Sequence, residues 1–219
     1  MGDTAAVFLR VLILASAALL PLINPPGSAP IFLAMTRGAS DAVRATLARR
    51  IAGHSFVLLV AAMLVGSYVL LFFGLSLAVV KIAGGLLVIA TAWHLIRADP
   101  SPDPALVGAS ALPLHGLDTH AFYPLTFPVT IGPGSISVAV TLGAGLHTRD
   151  VSDVVSMLGA VTGVVLVSVS VYLSYRFASR VLRVLGGAAT AVLLRLSAFI
   201  LLCIGVQILC TGVVERFTI

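Results

Sequence analysis

Pro21-Leu22-Ile23-Asn24-Pro25-Pro26-Gly27-Ser28-Ala29-Pro30 sits inside an apolar run that reaches from about residue 5 to residue 36. Proline removes a main-chain donor and its ring clashes with the preceding turn, so a helix through this run has to break here. Its core, Pro26-Gly27-Ser28, returns as Pro133-Gly134-Ser135 within Phe127-Pro128-Val129-Thr130-Ile131-Gly132-Pro133-Gly134-Ser135-Ile136. That second stretch interrupts the fourth of six apolar segments: 5–36, 51–73, 76–96, 121–146, 154–175 and 190–214. The same interruption therefore opens each set of three.

Of 219 residues, 59% are hydrophobic and 10% charged. Soluble domains carry about 25% charged residues, so the excess points to membrane helices, each needing about 20 apolar residues to cross a layer about 30 Å thick. Between segments three and four lies the longest polar connection, with Asp99-Pro100-Ser101-Pro102-Asp103-Pro104, which cannot continue a helix. The expected organisation is one membrane domain with a first three-helix repeat over 1–96, a polar linker over 97–120 and a second repeat over 121–219. Three is odd, so the second copy enters from the opposite side. The expected fold class is all-α and polytopic: six transmembrane helices as two inverted repeats, with helices one and four broken at Pro/Gly.

Arg37, Arg44, Arg49, Arg50, Arg97, Arg176, Arg180 and Arg183 all fall in connections on one side, against Arg10, Arg149 and Arg216 on the other. The positive-inside bias then predicts N-out, C-out, with Trp93, Tyr172 and Tyr175 near the cytoplasmic interface. Arginines at 176, 180 and 183 with apolar residues opposite predict a short interfacial helix over 175–185. The net charge of +5 follows from these loops and calls for membrane lipid, not nucleic acid. The first apolar run is too long for a signal peptide and lacks a small-x-small cleavage site. Cys203 and Cys210, seven apart on one helix, are too distant for a disulfide and read as small packing residues.

Helix breaks inside a membrane free backbone groups that only buried protein or a cavity can satisfy. Secondary transporters use paired breaks in this way, with positive half-helix N-termini toward an anionic substrate group. Ser28 and Ser135 each follow a glycine at the start of a half-helix, where hydroxyl and N–H groups could hold a carboxylate. The candidate substrate-binding residues are Asn24, Pro25, Gly27, Ser28, Thr130, Gly132, Gly134, Ser135 and Gln207. No segment has an acid in its centre, which favours a small neutral solute over a cation. Lys81 and Arg195 near span ends either snorkel or cap freed carbonyls, and His54 and His94 are alternative proton carriers. No nucleophile stands in a recognisable catalytic pattern, so an enzyme is not expected, and no phosphate-binding loop is present. Gly159-x-x-x-Gly163, Gly84-Gly85 and Gly186-Gly187 read as close-packing sites. They act within the chain or at a homo-oligomer face.

The chain resembles the MarC family of integral membrane proteins. The resemblance rests on Asn24-Pro25-Pro26-Gly27, Phe73-Gly74-Leu75-Ser76, Lys81-Ile82-Ala83-Gly84-Gly85, Tyr123-Pro124-Leu125-Thr126-Phe127-Pro128, Gly132-Pro133-Gly134-Ser135, Arg195-Leu196-Ser197 and Gly205-Val206-Gln207. It implies a six-span inner-membrane protein grouped with transporters of small neutral amino acids. Asn24 stands where many relatives carry Asp, Lys81 where Arg is common and Ser197 where Gly is common. The first departure weakens an ion-coupling role there. The expectation is thus a secondary transporter of glycine- or alanine-like amino acids by alternating access, without cofactor, coupled to Na+ or H+ if coupled at all. The alternatives are a non-transporting lipid-handling or regulatory membrane protein, or an exporter of another small solute.

Overall fold

The computed structural model describes residues 2–97, 119–146 and 151–217, and among these it is helical with no strand. The proline-rich linker lies outside the described residues, apart from Arg97 and the 3-10 turn Thr119–Ala121. Helix α1 (Gly2–Ile23) stops at Asn24 and α2 (Pro25–Met35) resumes at once. Ser40 caps α3 (Asp41–Phe72), its hydroxyl accepting from the Val43 amide, and Asp41 in the first turn complements the helix dipole. A turn through Gly74, at φ 65°, leads to α4 (Leu77–Arg97). An irregular π-type helix, Phe122–Thr130, runs into α5 (Pro133–Ala144) across a 72° bend. Helices α6 (Val151–Arg176) and α7 (Ala178–Phe217) complete the chain.

Among the described residues five spans are long and apolar enough to cross a membrane, with α1 and α2 counted as one, or six if the bent pair is also one. The expected segments hold, with two differences. Helix α3 begins at Asp41 instead of residue 51, because its polar first turns are capped and tied down: Arg44 donates to the Thr36 carbonyl at 3.1 Å. Helix α7 begins at Ala178 and is interrupted at Gly186, whose φ of 71° and ψ of 172° are open to glycine but not to an L side chain. Gly186 has nothing within 4 Å of an added Cβ, so it breaks the helix and is not the packing site expected there. The stretch Ala178–Leu185 is thereby set off from the apolar span Arg195–Phe217.

Among the described residues, three helix pairs approach until a glycine lies against the backbone of its neighbour. In α1–α6, a Cβ on Gly159 would lie 2.7 Å from the Phe8 carbonyl oxygen, and Gly163 abuts Ala15 and Leu12. The motif therefore acts within the chain, and the increasing residue numbers on both sides make the two helices parallel. In α3–α5, a Cβ on Gly143 would lie 1.7 Å from the Met63 carbonyl oxygen. In α4–α7, Gly205 meets Ile89 while Gly212 meets Ala78 and Ile82, an antiparallel pair. Each pair joins a helix before the 98–118 segment to one after it. Apolar side chains gain little from leaving lipid for protein, so close backbone approach and dispersion hold such pairs together. Lys81 on α4 also forms an ion pair with Glu215 on α7. Arg195 is exposed. Cys203 and Cys210 are free and exposed, outside the packing role expected of them.

One core gathers Leu47, Ile51 and Leu59 of α3, Val164, Val167 and Val171 of α6, Phe32 of α2, and Leu125 and Ile131 of the broken fourth span. Both breaks border this core.

Candidate functional site

At the first break Asn24 adopts the left-handed conformation (φ 45°, ψ 61°), the one non-glycine residue with positive φ among those described. Asparagine tolerates this region because its short amide can bond locally. Its Oδ1 accepts from the Gly27 amide at 3.2 Å, and a Cβ on Gly27 would collide with that same side chain. Pro25 and Pro26 supply no N–H, so the Pro21 and Leu22 carbonyls lose the donors that an unbroken helix would send them. Ser28 covers the next gap, its hydroxyl donating to the Ile23 and Asn24 carbonyls, each at 3.1 Å. The single proton of Ser28 is thus directed to the backbone. Replacing Asn24 with Ala is expected to cost about 1–2 kcal/mol, from left-handed strain and a lost cap, whereas Asn24→Gly costs a few tenths. Thermal unfolding of the two variants in detergent checks the ranking.

The second break is built differently. Tyr123 and Phe127 each precede a proline and are extended (φ −118° and −117°), with cis peptide bonds to Pro124 and Pro128. The hydroxyls of Thr126 and Thr130 donate five residues back, to the Ala121 and Leu125 carbonyls, both at 2.6 Å. The Ile131 amide likewise reaches the Thr126 carbonyl at 2.8 Å. The Ile131 bond has the main-chain i−5 spacing of a π-helix, a feature frequent at functional sites, and the two hydroxyls follow the same spacing. Gly132 then runs extended into α5, and the Ser135 and Ile136 amides turn back to its carbonyl at 3.0 and 3.2 Å.

Tyr175 of α6 joins the two breaks. Its ring stacks on Phe32 with centroids 4.6 Å apart and planes 6° from parallel. Its hydroxyl lies 2.8 Å from Thr130 Oγ1. Because Thr130 has already given its proton to Leu125, the phenol is the donor in that bond. Ser28 stands beside the same phenol. Tyr175 is only 2% exposed, so it is no interfacial aromatic of the kind its place beside Arg176 predicts. Trp93, by contrast, is exposed, with the Arg97 guanidinium 4.7 Å above its ring. On the other flank Val88 of α4 lies against Gly134 and shares a core cluster with Leu22, in the last turn of α1.

Of the candidate residues, Asn24, Pro25, Gly27 and Ser28 form the first break, and Thr130, Gly132, Gly134 and Ser135 the second. All are buried except Asn24 and Gly132, which are partly so. Thr130 and Ser28 come together at Tyr175. Gly134 is covered by Val88, and Gln207 is exposed on α7, outside the cluster. Leu201, Gly205 and Gly212 mark the inward face of that helix, and Gln207 falls off their phase. Among the described residues no three His, Cys, Asp or Glu side chains come together as a metal site. The chemistry on offer is that of hydroxyls, amides and carbonyls.

The MarC family integral membrane protein model matches residues 9–217, from α1 to the end of α7. The chain belongs to the MarC family. A UPF0056 membrane protein of Archaeoglobus fulgidus is 31% identical over 206 residues, covering 89% of this chain and 88% of its own. The UPF0056 inner membrane proteins MarC of Escherichia coli and Salmonella typhimurium are each 29% identical over 202 residues, covering 90% of this chain and 91% of theirs. No solved structure matches. As a member of the MarC family the chain is an integral membrane protein, and the names of the bacterial relatives place them in the inner membrane.

Proposed function

We propose that this protein is a secondary transporter of small neutral amino acids of glycine or alanine size, working by alternating access around the two broken spans. The observation that carries this reading is the meeting of both breaks on one buried residue, Tyr175, through Thr130 and Phe32. A zwitterion needs donors for its carboxylate and acceptors for its amine. The Gly134 amide, first donor of α5, can serve the carboxylate. The Pro21 and Leu22 carbonyls, left without their usual donors, can serve the amine. Neither partner bears a formal charge, which suits a solute with none overall.

The helix partnerships are consistent with two inverted three-helix repeats. At the level of whole spans, exchanging first, second and third for fourth, fifth and sixth turns the contact of the first span with α6 into that of the fourth span with α3, and maps α4–α7 and α3–α6 onto themselves. In this reading the protein lies in the inner membrane with N-out and C-out topology and its surroundings are lipid. It binds neither nucleic acid nor cofactor, has no enzymatic activity, and draws any coupling from Na+ or H+.

The test is uptake of radiolabelled glycine, alanine and serine into proteoliposomes under imposed sodium or proton gradients. Thr130→Val keeps the shape of the side chain and removes the hydroxyl that meets Tyr175. It is expected to reduce uptake at least tenfold while lowering stability by about 1–2 kcal/mol. Folded, correctly inserted protein that moves none of these solutes under either gradient overturns the proposal.

A further inference from the structure

Buried hydroxyls in membrane helices usually donate to a carbonyl one turn back. Buried Thr36 does so here, at 2.7 Å, as does half-buried Thr141, at 2.9 Å. Ser16, Ser55 and Ser168 do not: their hydroxyls are buried and have no hydrogen-bond partner. Unpartnered buried polar groups are rare in native proteins and ask for an explanation. Ser55 is 0% exposed and Ser168 6% exposed. Each lies in the middle of an otherwise apolar buried stripe, Ser55 between Ile51 and Leu59 on α3, Ser168 between Val164 and Val171 on α6. The flanking residues of both stripes belong to one core.

Helices α3 and α6 pack together, yet they belong to different glycine-tight pairs, α3 with α5 and α6 with α1. The interfaces inside those pairs are closed by backbone contact. No glycine of α3 or α6 is pressed against the other helix, and the buried stripes that the two helices bring to the shared core carry the two serines, with Tyr175 two turns along from Ser168 on α6. A seam of this kind can part without breaking a backbone-tight contact.

We infer that Ser55 and Ser168 line the solute path, donating and accepting hydrogen bonds with a small uncharged or zwitterionic solute that crosses between the α1–α6 pair and the α3–α5 pair. This assignment rests on the transport reading and adds to it the residues of the path and the bodies that move. The moving bodies are then helix pairs that each combine both halves of the chain. Ser16 supplies the contrast. It is equally unpartnered but lies against Gly163 inside the α1–α6 pair, 3.2 Å from where a Cβ would stand.

The experiment is cysteine accessibility in proteoliposomes, in a Cys203→Ala, Cys210→Ala background, with a small water-borne cationic methanethiosulfonate. A thiol reacts only where water lets it ionise. Ser55→Cys and Ser168→Cys are expected to react at least tenfold faster than Ser16→Cys. Ser40→Cys, at the exposed cap of α3, reports that the reagent is active. Unreactive cysteines at 55 and 168 in monodisperse protein, or reaction at 16 as fast as at those two, overturn the inference. If Ser55→Cys does not fold, Ser168→Cys carries the test alone. Glycine or alanine at millimolar concentration is expected to slow the labelling. Rapid labelling that no neutral amino acid slows leaves the seam standing and refutes the amino acid reading instead.

Discussion

Replacing Gly143 with valine is expected to abolish recovery of folded protein. The Met63 carbonyl occupies the place of the new Cβ, at 1.7 Å, and both contact partners are backbone, so no rotamer change relieves the overlap. Extra atoms in a packed core cost about 1–3 kcal/mol where side chains can give way, and more where they cannot. Here an entire helix has to move, and α5 is held on its other side by Ser137 and Val88 of the α4 contact. The control is Gly53→Ala in α3, the helix that carries Met63, where an added Cβ meets nothing within 4 Å. That change removes backbone freedom from the unfolded chain and should stabilise by about 0.5–1 kcal/mol. Thermal unfolding followed by size-exclusion recovery distinguishes the two. A Gly143→Val protein that melts within a degree or two of the parent contradicts the close α3–α5 contact.

The second large effect belongs to Tyr175. Truncation to alanine removes a ring stacked on Phe32 and empties the point where the breaks meet. Aromatic-to-alanine changes in soluble cores cost about 3–5 kcal/mol. Lipid tails are as apolar as the core, so the transfer contribution shrinks and lost packing dominates. About 3 kcal/mol is the expected loss. Tyr175→Phe keeps the stack and loses one neutral hydrogen bond, costing about 1 kcal/mol. In the proposed transport cycle the phenylalanine variant loses more of its rate than its stability accounts for. Equal unfolding temperatures for Tyr175→Ala and the parent would contradict the burial of this ring.

The membrane class, the six apolar segments and the positions of both breaks were legible in the residues, because apolar length and proline chemistry act locally. Gly159 and Gly163 were legible as a packing motif, and α1 is the partner they find. Tyr175 was not, since a tyrosine beside Arg176 at a span end has the pattern of an interfacial anchor. Its burial comes from Phe32 and Thr130, distant in sequence. Ser28 was placed at the right turn, but its hydroxyl faces back to the Ile23 carbonyl, a need created by the very prolines that mark the break. Gln207 could have been excluded by helical phase against Gly205 and Gly212. Residue 41 as the start of α3 was hidden by charge, because Asp41, Arg44, Arg49 and Arg50 belong to a helix that continues beyond the apolar layer.

The glycine-tight pairs also bear on how the chain is made. None of the three can close from residues 2–97 alone. Helix α1 waits for α6, α3 for α5, and α4 for α7. Contacts so distant along the chain delay folding, because loop closure precedes their reward. The first three spans therefore reside in the bilayer without their glycine-tight partners until later ones arrive. Synthesis from the N-terminus completes α3–α5 first, then α1–α6, and seals α4–α7 last, so a chain cut short within α7 would keep two of its three pairs and lack the one that Lys81 and Glu215 fasten.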